Sequence, residues 1–307
     1  MKPYNKPPLS IDEQLSLLKK RGLIINNYEF AKNVLSNLNY YSLSGYLYVF
    51  EKQSNTRTHI FENVTFEEVI RFFNTDVKIR QLILSCVSYV EVYMKNIIAR
   101  TFVETYNDPF YNYKTNIYDN INPEINSLAE NSKEIFIKHY KNEYSNFPEL
   151  PIWISVEIMS LGTLSKFYSY SDNIYKKNIV NKINLNHHEY LRNFMHFLTL
   201  IRNKSAHHSR ILCINLDNKI KLPKQLLLNS NYNIGLLNSN TLFNFIVNLE
   251  YIVKVSSIFP SSTLYFIYEI YKQLYKLINN KSIKNKIFIH KNIGIIDNWK
   301  GNNFFNP

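Results

Sequence analysis

Cysteine is almost absent. The 307 residues contain two, Cys86 and Cys213, both in apolar surroundings and neither with a partner at metal-ligand spacing. That excludes a disulfide-stapled scaffold and a zinc–thiolate site, and it fits a reducing cytoplasm. Glycine and proline are also scarce, at six and ten residues, which argues against a loop-rich all-β fold and favours helices. Met1 to Ser10 is polar and proline-rich, with no hydrophobic signal region. The most apolar C-terminal stretch, Thr241 to Tyr271, is interrupted by Glu250, Lys254 and Pro260. No transmembrane helix and no membrane partner are therefore expected. Acidic residues are in deficit, 24 against 36 Lys and Arg, so the net charge is +12. Such a charge favours a nucleic acid or another polyanion as partner, and it says nothing about fold.

What the chain has in quantity is apolar and aromatic side chains, with 45% hydrophobic residues, 24 tyrosines and 20 phenylalanines. Much of the Asn, Ile, Lys and Tyr bias carries no functional information. The patterning does. Ser10-x-x-Glu13 is a capping box and Gly22 sits at a C-cap, which predicts a helix over 11–21. Phe30, Ala31, Val34, Leu35 and Leu38 predict a second over 28–38. Asn39 to Phe50 (NYYSLSGYLYVF) reads as a helix, with strand as the alternative. Residues 51–64 read as a loop with a short hairpin around His59 to Phe61. Thr65-x-x-Glu68 is a second capping box and opens a long helix to about Tyr106. Ile70, Phe73, Val77, Leu84, Val87, Met94 and Ile98 form its seam. Arg80 and Glu91 fall on that seam, eleven residues or roughly 16 Å apart. Charges on an apolar face are costly unless paired, so each is expected to have a partner.

Residues 107–149 read as a polar, peripheral insertion with a short helix near 132–144. Pro151 then starts a helix over 152–170 with Trp153, Glu157, Leu161 and Leu164 on one face. Asn184 or Asn186 is expected to cap the next helix, which carries Leu191, Phe194, Leu198 and Ile201. After a loop at about 215–240, two apolar helices are expected near 241–258 and 262–279. A tail follows with Lys281, Lys284, Lys286, Lys291 and Lys300 against Asp297. The expected architecture is all-α: a helical bundle over 65–307 with a smaller helical subdomain over 1–64.

The chemistry concentrates at Arg202-Asn203-Lys204-Ser205-Ala206-His207, an R-N-x-x-x-H string followed by His208 and Arg210. RNA carries its own nucleophile, the 2′-hydroxyl. An enzyme that moves its proton, protonates the leaving 5′-oxygen and stabilises the phosphorane needs no metal. Histidine suits the proton transfers and arginine suits the phosphorane. On a continuous helix, however, Arg202 and His207 point about 140° apart, whereas Asn203 and His207 share a face. The pair would meet if the helix broke near 201–203 with Asn203 as a new N-cap, or if two copies of the chain pooled their motifs. Two other readings compete. A basic, non-catalytic RNA binder would grip phosphates with Arg202, Lys204, His208 and Arg210, helped by Tyr265, Tyr268, Tyr271, Lys272, Tyr275 and Lys276. Those tyrosines read first as core packing at helical spacing. A metal site from His187, His188, His196, His207 and His208 lacks any Cys, Asp or Glu at a repeating ligand spacing, so no metal or other cofactor is expected.

Five ordered blocks resemble the Abi (abortive infection) family of bacterial anti-phage proteins, in its AbiF/AbiD-like branch. They are KPPLSIDEQLSLLKKRGL (6–23), NYYSLSGYLYVF (39–50), FFNTDVKIRQLILSCVSYVEVYMKNIIA (72–99), PIWISVEIMSLGTLSKFY (151–168) and LIRNKSAHHSRI (200–211). In the third block Asp76, Arg80 and Glu91 stand where the family pattern has them. The resemblance implies a HEPN domain, an all-α bundle whose R-x4–6-H motif is the active site of many metal-independent RNases. The R-N-x-x-x-H form is also that of the RNA-guided RNases of type VI CRISPR systems. By position the resemblance makes Arg202 and His207 the catalytic pair and Asn203 the motif asparagine, a supporting residue; His208, next in the chain, is a further supporting candidate. Glu91 orients Arg202 or His207, and Lys204, Arg210 and Arg80 are candidate RNA contacts. It further implies a homodimer and a small structured non-coding RNA as partner.

Overall fold

The computed structural model describes residues 3, 7–52, 59–216, 240–256, 258–280 and 286–295. Among them are thirteen α-helices, two single-turn 3-10 helices and no β-strand. Two isolated bridges join extended residues among those described, Ile24 with Thr65 and Glu51 with Phe61. The all-α expectation holds. Much of the expected 215–240 loop, together with Lys281, Lys284, Asp297 and Lys300 of the tail, lies outside the described residues.

Helix α1 (Ile11–Lys20) opens on the expected capping box. The Glu13 N–H donates to Ser10 Oγ, and the Ser10 N–H donates to the Glu13 carboxylate at 2.7 Å. Gly22, at φ 91°, turns the chain behind it. There a Cβ would lie 2.3 Å from the Phe61 carbonyl oxygen, so only glycine lets the two backbones close. Helices α2 (Tyr28–Asn37) and α3 (Tyr40–Phe50) follow, so the aromatic block at 39–50 is helical. Of the hairpin expected around His59, the described residues show the Glu51–Phe61 bridge, with Lys52 N–H donating to Ile60 O at 2.8 Å; residues 53–58 lie outside the described residues.

The long helix is α4 (Phe66–Tyr106), 41 residues from the Thr65/Glu68 capping box to a left-handed Asn107. At 1.5 Å per residue it is about 60 Å long. Its innermost line differs from the seam read in the sequence. Val69, Phe72, Asp76, Ile79, Ile83, Cys86 and Val90 are fully buried, whereas Phe73, Val77 and Leu84 are only partly so. The reason is that α4 is packed from several sides. The helices touching it are α3, α7 (Ile152–Ile158), α8 (Leu161–Tyr170), α9 (Asn173–Lys182), α10 (His188–Ala206) and α12 (Ser261–Asn279). A broad apolar arc then contains more than one plausible 3–4 line, and the sequence does not rank them. By length and composition alone α4 is apolar enough to cross a membrane; in this fold it is the central core helix.

Three further expectations are corrected. Residues 152–170 are two helices, because Met159 is extended and Ser160 N-caps α8 through Thr163 N–H. Trp153 and Glu157 are consequently exposed while Leu161 and Leu164 are buried, so the four do not share a face. Helix α9 was not anticipated. Its sequence NIYKKNIVNK is mostly polar, and only Tyr175, Ile179 and Val180 carry an apolar side inward. Finally, neither Asn184 nor Asn186 caps α10. Asn184 adopts φ 54° and ends α9, with Leu185 N–H donating back to Val180 O at 2.8 Å, and the N-cap is His187. The buried stripe Leu191, Phe194, Leu198 and Ile201 is as expected.

One hydrophobic cluster runs from Leu15 to Ile295 and takes in residues on both sides of position 64. Of the 107–149 segment, Tyr118, Ile121 and Ile125 join this cluster. Ala129 of α5 (Asn122–Asn131) and Ile137 and Tyr140 of α6 (Ile135–Glu143) form a second one with Leu150. Helix α11 (Leu242–Val255), α12 and α13 (Lys286–Ile293) complete the bundle.

Helix α11 buries a carboxylate. Glu250 accepts from the Tyr271 hydroxyl at 2.8 Å and faces Lys254 Nζ at 2.6 Å. Burial holds its carboxyl above the ordinary value of 4.5, with Lys254 and Tyr271 pulling the other way. A raised folded-state pKa contributes stability that is complete below the unfolded value and is lost as pH rises through the folded one. Glu250→Gln has no such titration. Its melting temperature relative to wild type is therefore expected to be more favourable at about pH 7 than at about pH 4. A difference that is flat or reversed between the two would contradict this account.

Candidate active site

The R-N-x-x-x-H residues lie at the C-terminus of α10. The helix does not break near Asn203, as one reading of the sequence required. It runs unbroken to Ala206, and His207 is its C-cap at φ −88°. The end is a Schellman closure. Ser209 N–H donates to Lys204 O at 2.9 Å and His208 N–H to Ser205 O at 3.3 Å. His208 occupies the left-handed C′ position at φ 57°, where glycine is the usual residue. A β-carbon there is held against its preference by its surroundings. The consequence is a sharp reversal directly after His207, which leaves both imidazoles exposed at the helix tip.

Arg202 sits one turn back. Its Nη1 donates to Asn203 Oδ1 at 3.0 Å, and its Nη2 lies 4.0 Å from the Glu91 carboxylate on α4. Glu91 is also 3.9 Å from Lys95, whose Nζ donates to the Glu157 carbonyl at 3.1 Å. Of the two partners expected for Glu91, the structure thus selects Arg202. Asn203 steadies the guanidinium from the same helix. These contacts leave about a third of the Arg202 side chain, 35%, exposed to solvent, so the guanidinium retains donors for an incoming anion. No hydrogen bond joins Arg202 to His207, and the continuous helix keeps them on different faces.

Arg80 is not on the surface with the other candidate RNA contacts. It is buried, its Nε donating to Asp76 Oδ2 at 2.9 Å and its Nη1 lying 3.4 Å from His208 Nδ1. Asp76, fully buried, is a hub to which the sequence reading, though it placed the residue in the family pattern, gave no role. Its Oδ1 accepts from the backbone N–H groups of Ile211 at 3.0 Å and Leu212 at 2.8 Å, and its Oδ2 also accepts from the Tyr46 hydroxyl at 2.9 Å. The available signal was an Asp and an Arg at i and i+4 on the most apolar line of α4. Burial pushes the Tyr46 hydroxyl upward, reinforced by the Asp76 charge. Burial likewise pushes the Cys213 thiol to about 12, so it is no nucleophile near neutral pH. Arg210 is partly buried, with Nη1 enclosed and unpaired, while Lys204 is exposed. Of the C-terminal tyrosines, Tyr271 is buried against Glu250, whereas Tyr265 and Tyr275 are exposed. No group of three or more His, Cys, Asp or Glu among the described residues is placed to hold a metal. His187, His196, His207 and His208 are exposed along α10 and its ends.

The family described as Abi-like protein matches residues 33–212, more than half of the chain, and the match spans Asp76, Arg80, Glu91 and the whole motif. No curated protein and no solved structure matches.

Proposed function

Because the chain belongs to the Abi-like protein family, we propose that it is an abortive-infection effector of the AbiF/AbiD-like, HEPN type that cuts RNA without a metal. One observation carries this reading. Arg202 is steadied by Glu91 and Asn203 with donors to spare, on the helix whose tip exposes His207. In the reaction, the 2′-oxygen bonds to phosphorus as its proton passes to a base. The bond from phosphorus to the 5′-oxygen then breaks, and that oxygen takes up a proton. The products are a 2′,3′-cyclic phosphate and a 5′-hydroxyl. His207 handles proton transfer, and Arg202 donates to the phosphorane oxygens. An unbroken α10 keeps the two on different faces, which favours a homodimer in which each site takes Arg202 and His207 from different copies. Lys204 and Arg210 contact flanking phosphates. The net charge of +12 suits both the substrate and a small structured non-coding RNA as a bound regulator in the bacterial cytoplasm.

The test is incubation of purified protein with RNA in EDTA. Wild type should yield 2′,3′-cyclic phosphate ends and His207→Ala should not; equal cleavage by both would remove the motif from the chemistry. A second reading, a non-catalytic RNA-binding protein, is favoured by the placing of Arg202 and His207 on different faces of α10 with no hydrogen bond between them. It is indicated if neither protein cleaves while RNA affinity falls steeply with salt.

A further inference from the structure

The turn that leaves α10 is tied to α4 by contacts that packing alone does not require. Asp76 spends one carboxylate oxygen on two successive backbone N–H groups, Ile211 and Leu212, and the other on Arg80 and Tyr46. All four partners are donors, so the buried carboxylate is fully satisfied as an anion. Arg80, oriented by that carboxylate, directs Nη1 at His208 Nδ1. A guanidinium has no acceptor, so Nδ1 must offer its lone pair and the ring proton must sit on Nε2. His208 in turn occupies a backbone position at φ 57° that favours glycine. A histidine kept in a glycine position, with its ring addressed by a buried arginine, points to a requirement for that ring.

We propose that Asp76 and Arg80 are positioning residues for the histidine tip. Asp76 pins the backbone of the turn, and Arg80 holds His208 as the Nε2–H tautomer, so that a fixed donor stands beside His207 for the RNA phosphate. The inference rests on the RNase reading for its purpose and on geometry alone for its structure. Asp76 and Arg80 act through His207 and His208 and touch no RNA.

The experiment is nitrogen-15 NMR of the histidine rings in the full-length protein at about pH 8.5, two units above the ordinary imidazole value. Amide exchange at Ile211 and Leu212 is read on the same sample. His208 is expected as a single Nε2–H tautomer with both amides protected. An Nδ1–H or mixed ring, or amides exchanging like open loop, overturns the proposal whatever any variant does. Arg80→Lys keeps the charge opposite Asp76 and loses the planar fork. It should fold, give a mixed His208 tautomer, and slow RNA cleavage by about 10- to 100-fold through kcat, with KM little changed. An unchanged tautomer in folded Arg80→Lys removes Arg80 from the scheme. If the tautomer responds as expected and wild type cleaves no RNA, the positioning stands and the RNase reading falls.

Discussion

Arg202→Ala is expected to slow RNA cleavage by about 100- to 1000-fold while leaving the fold intact, the size of effect seen when one preorganised donor to a developing oxyanion is removed. The fold should survive because the side chain is 35% exposed and its ion pair with Glu91 is a long 4.0 Å. A long, half-buried pair in which Glu91 also has Lys95 at 3.9 Å is expected to contribute little, about 1 kcal/mol. A loss of cleavage in folded Arg202→Ala would therefore be assigned to the reaction rather than to unfolding. Arg202→Lys sharpens the point. The ammonium keeps the charge but cannot present two parallel donors. It is expected to recover RNA affinity and to leave most of the rate deficit in place. Single-turnover rates and RNA affinity, measured on both variants beside His207→Ala, separate binding from chemistry. If Arg202→Ala cleaves at the wild-type rate, Arg202 does not serve the phosphorane. If it loses affinity and rate together and Arg202→Lys restores both, the residue is a phosphate grip and the non-catalytic reading gains.

Asp76→Ala is expected to cost about 3–5 kcal/mol of folding stability, the usual consequence of removing one partner from a buried ion pair. A domain has only about 5–15 kcal/mol in all, so this is the largest stability effect expected from any single polar substitution described above. The substitution leaves the Arg80 guanidinium buried without its anion and two backbone N–H groups without an acceptor. Tyr46→Phe removes only one of the four donors to the same carboxylate. It should cost about 1 kcal/mol, the net worth of one hydrogen bond. Chemical denaturation of the two variants checks the ratio. Equal and small losses would mean that the network is not what holds α4 to the turn.

Helix existence was readable because it depends on local features. Two capping boxes, the 3–4 spacing along α4 and α10, and the scarcity of glycine all act within a turn or two of chain. What failed were decisions taken at a distance. The true inner line of α4 depends on which helices surround it, and a 41-residue helix with a wide apolar arc does not announce that. The split at Met159 and Ser160 hid behind an apolar pattern that continues through the break. Helix α9 was missed because its burial comes from position in the bundle rather than from a strong apolar face.

The candidate site divides in the same way. Arg202, Asn203 and His207 were legible as a string, and Glu91 as a charge that needed a partner. The sequence alone therefore determined an all-α, strongly basic chain that carries an R-N-x-x-x-H string. Only the tertiary structure decided that α10 ends after Ala206, that Glu91 faces Arg202, and that Arg80 points inward to Asp76 and His208. The Glu91–Arg202 and Arg80–His208 pairings span 111 and 128 positions of chain. No local propensity encodes them; they arise when burial forces each charge on the core helix to find its counterpart.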